Sequence, residues 1–219
     1  MKRIAAAVTI ALCTTSLFAG ISGFYKDWPK TPIGYYMTND ERKQWNALQS
    51  DHDAEQFIKD FVAKRGGETF TREVSKNAEN ADKYLTIGKT PGSQTVRGKM
   101  MILLGPAAPT AATKKKKKAG EVHLAPATSM GDFSGPTMQD VQTAANDPGN
   151  STVFVIEYTY TYPAAALPAA YGKPITVKIE VDTSVDQDRI ASYSSEKELD
   201  KVYEMVAQAK LAAAKQPAP

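Results

Sequence analysis

A chain of 219 residues, 42% of them hydrophobic and 23% charged, can bury one core of ordinary size and still carry appendages. Its formal net charge of +3 includes Lys2, Arg3 and five consecutive lysines, Lys114 to Lys118, so the basic balance describes a terminus and a run rather than a surface built for nucleic acid. The single cysteine, Cys13, lies in the apolar N-terminal run, which excludes a disulfide framework and a thiol nucleophile from whatever follows that run.

Residues 1–19 have the form of a cleaved signal peptide, with Lys2-Arg3 as the positive region and Ile4 to Ala19 as the apolar one. The run is interrupted by Thr9, Thr14, Thr15 and Ser16, and it is short against the roughly twenty residues of a membrane span. Cleavage is expected after Ala19 or after Ser22, and export follows from it.

Phe24 to Tyr36 is aromatic and punctuated by Pro29 and Pro32, the pattern of an extended arm whose rings pack onto the body. Thr38-Asn-Asp-Glu41 predicts a capping box and a helix to about Gln49. Ser50-Asp51 opens a second helix with Ala54, Phe57, Ile58, Phe61 and Val62 on one face, ended by Gly66-Gly67. A third helix is expected over 71–87, with Val74, Ala78, Ala81 and Leu85 inward and Gly88 as its cap. Thr90 to Pro106 is a pivot, where a glycine-bracketed turn feeds Met100 to Leu104, an apolar run that reads as a covered strand.

Residues 107–148 are rich in Ala, Pro, Gly, Ser and Thr and read as a flexible insertion, with a brief strand at Glu121 to Leu124. Residues 149–215 complete the domain begun at 24–106. Ser151 to Tyr162 is a strand with Phe154, Ile156, Tyr158, Tyr160 and Tyr162 on one face. Ile175 to Val181 alternates, with Thr176, Lys178 and Glu180 outward, and Ser195 to Glu198 opens a final helix. Helices, then strands, then a helix predict the α+β class, with N-terminal helices packed on a small antiparallel sheet and a C-terminal helix.

The pivot is the first candidate site. Gly92 to Lys99 ends in Gly-Lys but is no phosphate loop, because five residues separate its glycines and Met100 stands where a magnesium-binding Ser/Thr belongs. It reads as a structural joint built from Gly92, Thr95, Gly98, Gly105 and Pro106, with Gly98 allowing close backbone approach and Arg97 paired to Asp82 or Glu73. His52 and His123 are distant and fit no typical zinc site, and Gly131-Asp-Phe-Ser134-Gly135 misses the nucleophile-elbow spacing. No cofactor is implied, and the balance leans against an enzyme. Arg97, Lys99, Tyr160 and Tyr162 are the candidate binding residues, the two tyrosines being expected to emerge at the strand end. Lys114 to Lys118 reads as a solvated loop, or as a weak peripheral contact with anionic lipid.

Tyr25 to Pro106 resembles the GWxTD domain, a family of exported bacterial proteins. The shared positions are collinear: Tyr25 and Trp28, Gly34-Tyr-Tyr-Met-Thr38, Asp40-Glu-Arg42, Phe57-Ile58 with Phe61, Arg65, Ala81-Asp82, and Arg97-Gly-Lys99 before Gly105-Pro106. Gly92 to Val96 stands in the naming motif's place, with Ser93 for its Trp and Val96 for its Asp. The resemblance implies a periplasmic or secreted protein with no defined activity, and the reading that follows is a non-enzymatic module of the cell envelope with a protein or polymer partner. The alternative is a hydrolase acting through carboxylates near the Arg97 turn.

Overall fold

The apolar run at the pivot is a buried helix. Thr95 caps it, its hydroxyl accepting from Gly98 N–H at 2.9 Å and donating to the Gly92 carbonyl at 2.7 Å. The computed structural model describes residues 20–118 and 152–214. Among these, the helices are α1 (Gly23–Lys26), α2 (Asn39–Asn46), α3 (Asp51–Ala63), α4 (Glu68–Leu85), α5 (Val96–Leu104) and α6 (Tyr193–Ala213). The strands are β1 (Pro109–Lys118), β2 (Thr152–Tyr162), β3 (Ile175–Asp182) and β4 (Gln187–Ile190), antiparallel in that order across one sheet. The class is α+β, as the element order predicts.

α5 corrects the strand expected at Met100 to Leu104. Met100, Ile102, Leu103 and Leu104 are all buried, so the helix is apolar on most sides because it is surrounded by α4, α6 and β4. A five-residue apolar run has no periodicity that separates a buried strand from a buried helix. The deciding feature is the Thr95 cap, together with Gly98, where a Cβ would overlap the Gly92 carbonyl oxygen. Gly92 in turn lies against the Ala81 carbonyl of α4, so two glycines bring three backbone segments into contact.

From Thr38 on, the helices before the pivot follow the sequence closely, whereas the stretch read as an extended arm forms α1 and the 3-10 turns Trp28–Lys30 and Gly34–Tyr36. The Thr38–Glu41 capping box is formed in both directions. Trp45 is buried under Trp28 of the arm, with ring centroids 4.9 Å apart, and Phe57 and Phe61 of α3 meet Trp28 edge-on. α4 starts at Glu68 and ends at Leu85, slightly earlier than expected, and buries Phe70, Val74 and Ala81. Its cap is Thr86; Gly88 follows just after it, at a φ of 53° in the turn that pairs Ile87 with Thr90.

The lysine run corrects the insertion. Lys114 to Lys118 are the end of β1, paired with Thr152 to Ile156 of β2 in continuous register. An edge strand presents one row of unpaired backbone to water, and lysines suit it because they discourage further pairing. Successive side chains go to opposite faces. Lys114 and Lys116 extend over the ring of Phe154, 4.4 and 5.7 Å from its centroid, while Lys115 pairs with Glu157 on the other face. The strand expected at Glu121 to Leu124, His123, Ser134 and the targeting segment 1–19 all lie outside the described residues. No helix among the described residues is long and apolar enough to cross a membrane.

The sheet's inner face is built from Tyr158, Tyr160 and Tyr162 of β2 and Ile175, Val177, Ile179 and Val181 of β3, closed by Leu199, Val202 and Tyr203 of α6. The outer face is wetter at Thr176 and Lys178, as expected, but Glu180 is buried there. Glu157 and Glu180 stand directly opposite each other, a repulsive pairing when both are charged. Each is neutralised from its outer neighbour, Glu157 by Lys115 of β1 and Glu180 by Arg189 of β4 at 2.9 Å, and Lys178 of β3 adds a contact to Glu157 at 3.8 Å. β4 itself carries no apolar alternation that would announce it.

Candidate functional site

The first turn of α5 presents backbone N–H groups that have no partner within the helix. Asp188 of β4 supplies one: its carboxylate accepts from Val96 N–H at 2.7 Å, from Arg97 N–H at 3.0 Å and from Arg97 Nε at 3.2 Å. A helix N-terminus therefore does exist at the pivot, contrary to the strand reading, and an internal carboxylate occupies it. The partners expected for Arg97 have other roles. Asp82 accepts from Ser93 N–H at 2.7 Å, and Glu73 pairs with Lys210. The Arg97 guanidinium also sits 5.4 Å from the centre of the Tyr158 ring.

Beside Arg97 opens a cavity of ≈ 390 Å³ between the C-terminal end of α4, α5, the 106–108 connection and β2. Its walls include Tyr84, Leu85, Met100 and Met101, and three of the candidate binding residues meet in it: Arg97, Tyr160 and Tyr162. Pro106 of the joint lies on its rim side, while Gly105, at a φ of 88°, turns the chain out of α5 just before it. The tyrosines do not emerge, which corrects the expectation. Tyr160 is 6% and Tyr162 3% exposed, because the end of β2 that carries them is the end beneath α5 and α6. The ring that emerges is Phe154, at the other end of the strand and 46% exposed. Burial raises the Tyr160 phenol above its ordinary value, the charge of Arg97 pulling the other way. Tyr162 is raised further by burial, and its hydroxyl donates to the Gly105 carbonyl at 3.4 Å.

Lys99, two residues from Arg97, lies on the opposite side of α5, as the helical period requires. It lines a second cavity of ≈ 680 Å³ between the N-terminal arm and α5, together with Arg42, Tyr35, Ser93 and Gln94. Ser93 stands where the resembled motif has Trp; its side chain is buried against this space and its backbone carbonyl accepts from the Tyr35 hydroxyl at 2.9 Å. Burial first, and the nearby Asp82 second, push the Tyr35 phenol up to about 12. The four candidate binding residues are therefore divided between two cavities, with α5 as the wall between them.

Asp188 and Tyr84 escape the sequence reading, and Arg42 and Ser93 enter it only as positions of the resembled family, with no role of their own. Thr95 is the one local signal for the helix start, a threonine three residues before the amide it caps. Asp188 gives no local signal, since it reaches α5 from more than ninety residues away in the chain, |i−j| being 92 to Val96. Among the described residues no group of three or more His, Cys, Asp or Glu is placed to hold a metal ion, and His52 is exposed on α3. Comparison with protein-family models, curated proteins and solved structures finds no match for this chain.

Proposed function

We propose that this protein is an exported, non-enzymatic binding module of the bacterial cell envelope, and that the Arg97–Tyr160–Tyr162 cavity receives an apolar side chain of a protein partner. The observation that carries the reading is the state of the polar groups around that cavity. Arg97 is tied to Asp188 and Tyr162 donates to a backbone carbonyl, so the cavity offers shape and apolar wall to a ligand. Tyr84, 65% exposed at its edge, gives an incoming chain an aromatic surface to meet. The resemblance of Tyr25 to Pro106 to an exported family supports the compartment. The hydrolase alternative draws less support, since Asp188 and Asp82, the carboxylates near the Arg97 turn, each accept from backbone N–H groups.

A photo-crosslinking side chain at Met101 tests the cavity in cells. A discrete protein adduct is expected in the envelope fraction, absent when the same group replaces exposed Lys76 and lost when Ala108→Trp fills the cavity. An adduct indifferent to the filling substitution would end the reading. N-terminal sequencing of the same fraction tests export: the chain should begin between Gly20 and Gly23, and an intact Met1 in the cytosol would end that part.

A further inference from the structure

The second cavity carries an inference independent of the first. Among the described residues Arg42 and Lys99 form no ion pair and no hydrogen bond through their charged groups, although both are only partly exposed. The Lys99 ammonium is held instead by two rings, 4.6 Å from the centre of Tyr203 and 5.6 Å from that of Tyr35. Rings stabilise a cation but accept none of its three N–H groups in the way an oxygen does. The hydroxyl of Ser93 also bonds no described residue and opens on the same space.

Three of the nearby acids, Asp27, Glu41 and Glu204, are held by other partners. Asp27, the one carboxylate in the lining, is held by Lys30 at 2.9 Å. Glu204 accepts from Asn39 N–H at 2.8 Å and from Gln208 at 2.7 Å. Asp200 and Glu196 of α6 influence Lys99, and Asp200, Glu204 and Glu41 influence Arg42, all without an ion pair. Burial lowers the pKa of both cations, and the distant acids of α6 pull the other way.

We propose that this cavity binds a small organic dianion, a phosphate monoester or a dicarboxylate, with Arg42, Lys99 and Ser93 as its hydrogen-bond donors. The lining carries two positive charges in excess, which suits a dianion. Arg42 can grip two oxygens at once, and Lys99 adds a point charge. At ≈ 680 Å³ the space exceeds what an inorganic ion fills, and Tyr35, Pro29 and Pro32 offer an apolar wall to an organic body. The first cavity differs in kind, because its cation is already neutralised by Asp188.

Calorimetric titration of the purified chain with phenyl phosphate, succinate and inorganic phosphate, at ionic strength matched with sodium chloride, tests the proposal. Saturable one-to-one binding of phenyl phosphate or succinate is expected, tighter than that of inorganic phosphate. Arg42→Gln and Lys99→Met should each weaken it by about tenfold or more, the loss of one charge-assisted contact. Lys114→Gln with Lys116→Gln should leave it unchanged. The amides of Ser93 and Gln94 should move in ¹⁵N-resolved spectra of the unsubstituted chain, a readout that stands if Lys99→Met does not fold. Binding of neither dianion, binding that survives both cavity substitutions, loss on changing the β1 lysines, or amide shifts confined elsewhere would each overturn the proposal.

Discussion

Asp188 holds α5 by its end and by its side chain at once. The same carboxylate caps the first turn through Val96 and Arg97 N–H and grips the guanidinium of Arg97, and its own side chain is 2% exposed. Removing Asp188 therefore strands a nearly buried guanidinium and two helix-end N–H groups, while removing Arg97 leaves the carboxylate two backbone donors. Asp188→Ala should destabilise by about 3–5 kcal/mol, and Arg97→Ala by clearly less. Urea unfolding of the two variants decides it; equal losses would show that the cap contributes nothing beyond the ion pair.

Gly98 sets two effects against each other. In an exposed helix, Gly→Ala gains about 1 kcal/mol of propensity. Here the new methyl would overlap the Gly92 carbonyl, and Gly92 cannot easily retreat because its Cα lies against the Ala81 carbonyl of α4. Overpacking of about 1–3 kcal/mol should outweigh the gain, so Gly98→Ala is expected to lower the melting temperature, and Gly98→Val to lower it further. A stabilised Gly98→Ala variant would show that the two segments can part at little cost.

Most of the helical half is legible because its signals are local. The Thr38–Glu41 box, the Ser50 cap and the four-three spacing of α4 lie within a few residues of what they determine. The joint was recognisable by its glycines, and Gly98 does permit the close approach expected of it. What the sequence hides is decided by distant partners. β1 is a strand because β2 is there to pair with, and its lysines carry no apolar alternation to reveal it. α5 is a helix because Thr95 and Asp188 cap it, and Tyr160 and Tyr162 are buried because α5 and α6 cover them. The second cavity unites Arg42 with Lys99 from separate helices, and no spacing announces that.

Glu41 and Arg65 predict a pH dependence. Arg65 is fully buried at the side chain, reaches both oxygens of Glu41 at 2.6 and 2.9 Å, donates to the Tyr36 carbonyl at 2.9 Å and lies 3.7 Å over the Phe61 ring. Desolvation pushes the Glu41 carboxyl up, but the bonds from Arg65 and Thr38 outweigh it and hold the pKa below its ordinary value of 4.5. The folded protein thus binds this proton less readily than the unfolded chain does. The stability it contributes is complete above that ordinary value and is lost as pH falls through the lowered one. Glu41→Gln should flatten the acid limb of the melting curve below about pH 4.5, and Glu41→Ala should lose about 3–5 kcal/mol at neutral pH by orphaning Arg65. An acid limb unchanged by Glu41→Gln would place that dependence on other carboxylates.

The last prediction distinguishes a strand from a loop within the lysine run. In a solvated loop, neighbouring lysines are equivalent; in β1 they alternate. Lys115 is half-buried and reaches Glu157, which faces Glu180 directly and needs its compensation, whereas Lys114 and Lys116 are exposed over Phe154. Lys115→Glu would put a third acid against that pair and should destabilise by about 1–3 kcal/mol. Lys114→Glu and Lys116→Glu lose only an exposed cation–ring contact of about 0.5–1 kcal/mol. Adding Glu157→Gln should recover part of the loss at Lys115 and none at Lys114, because only the first substitution shares a partner with Glu157. Chemical denaturation of the three lysine variants, of Glu157→Gln alone and of the two double variants measures these differences. Three equal single effects would remove the run from the strand, and a Lys115→Glu loss untouched by Glu157→Gln would break the charge row across the sheet.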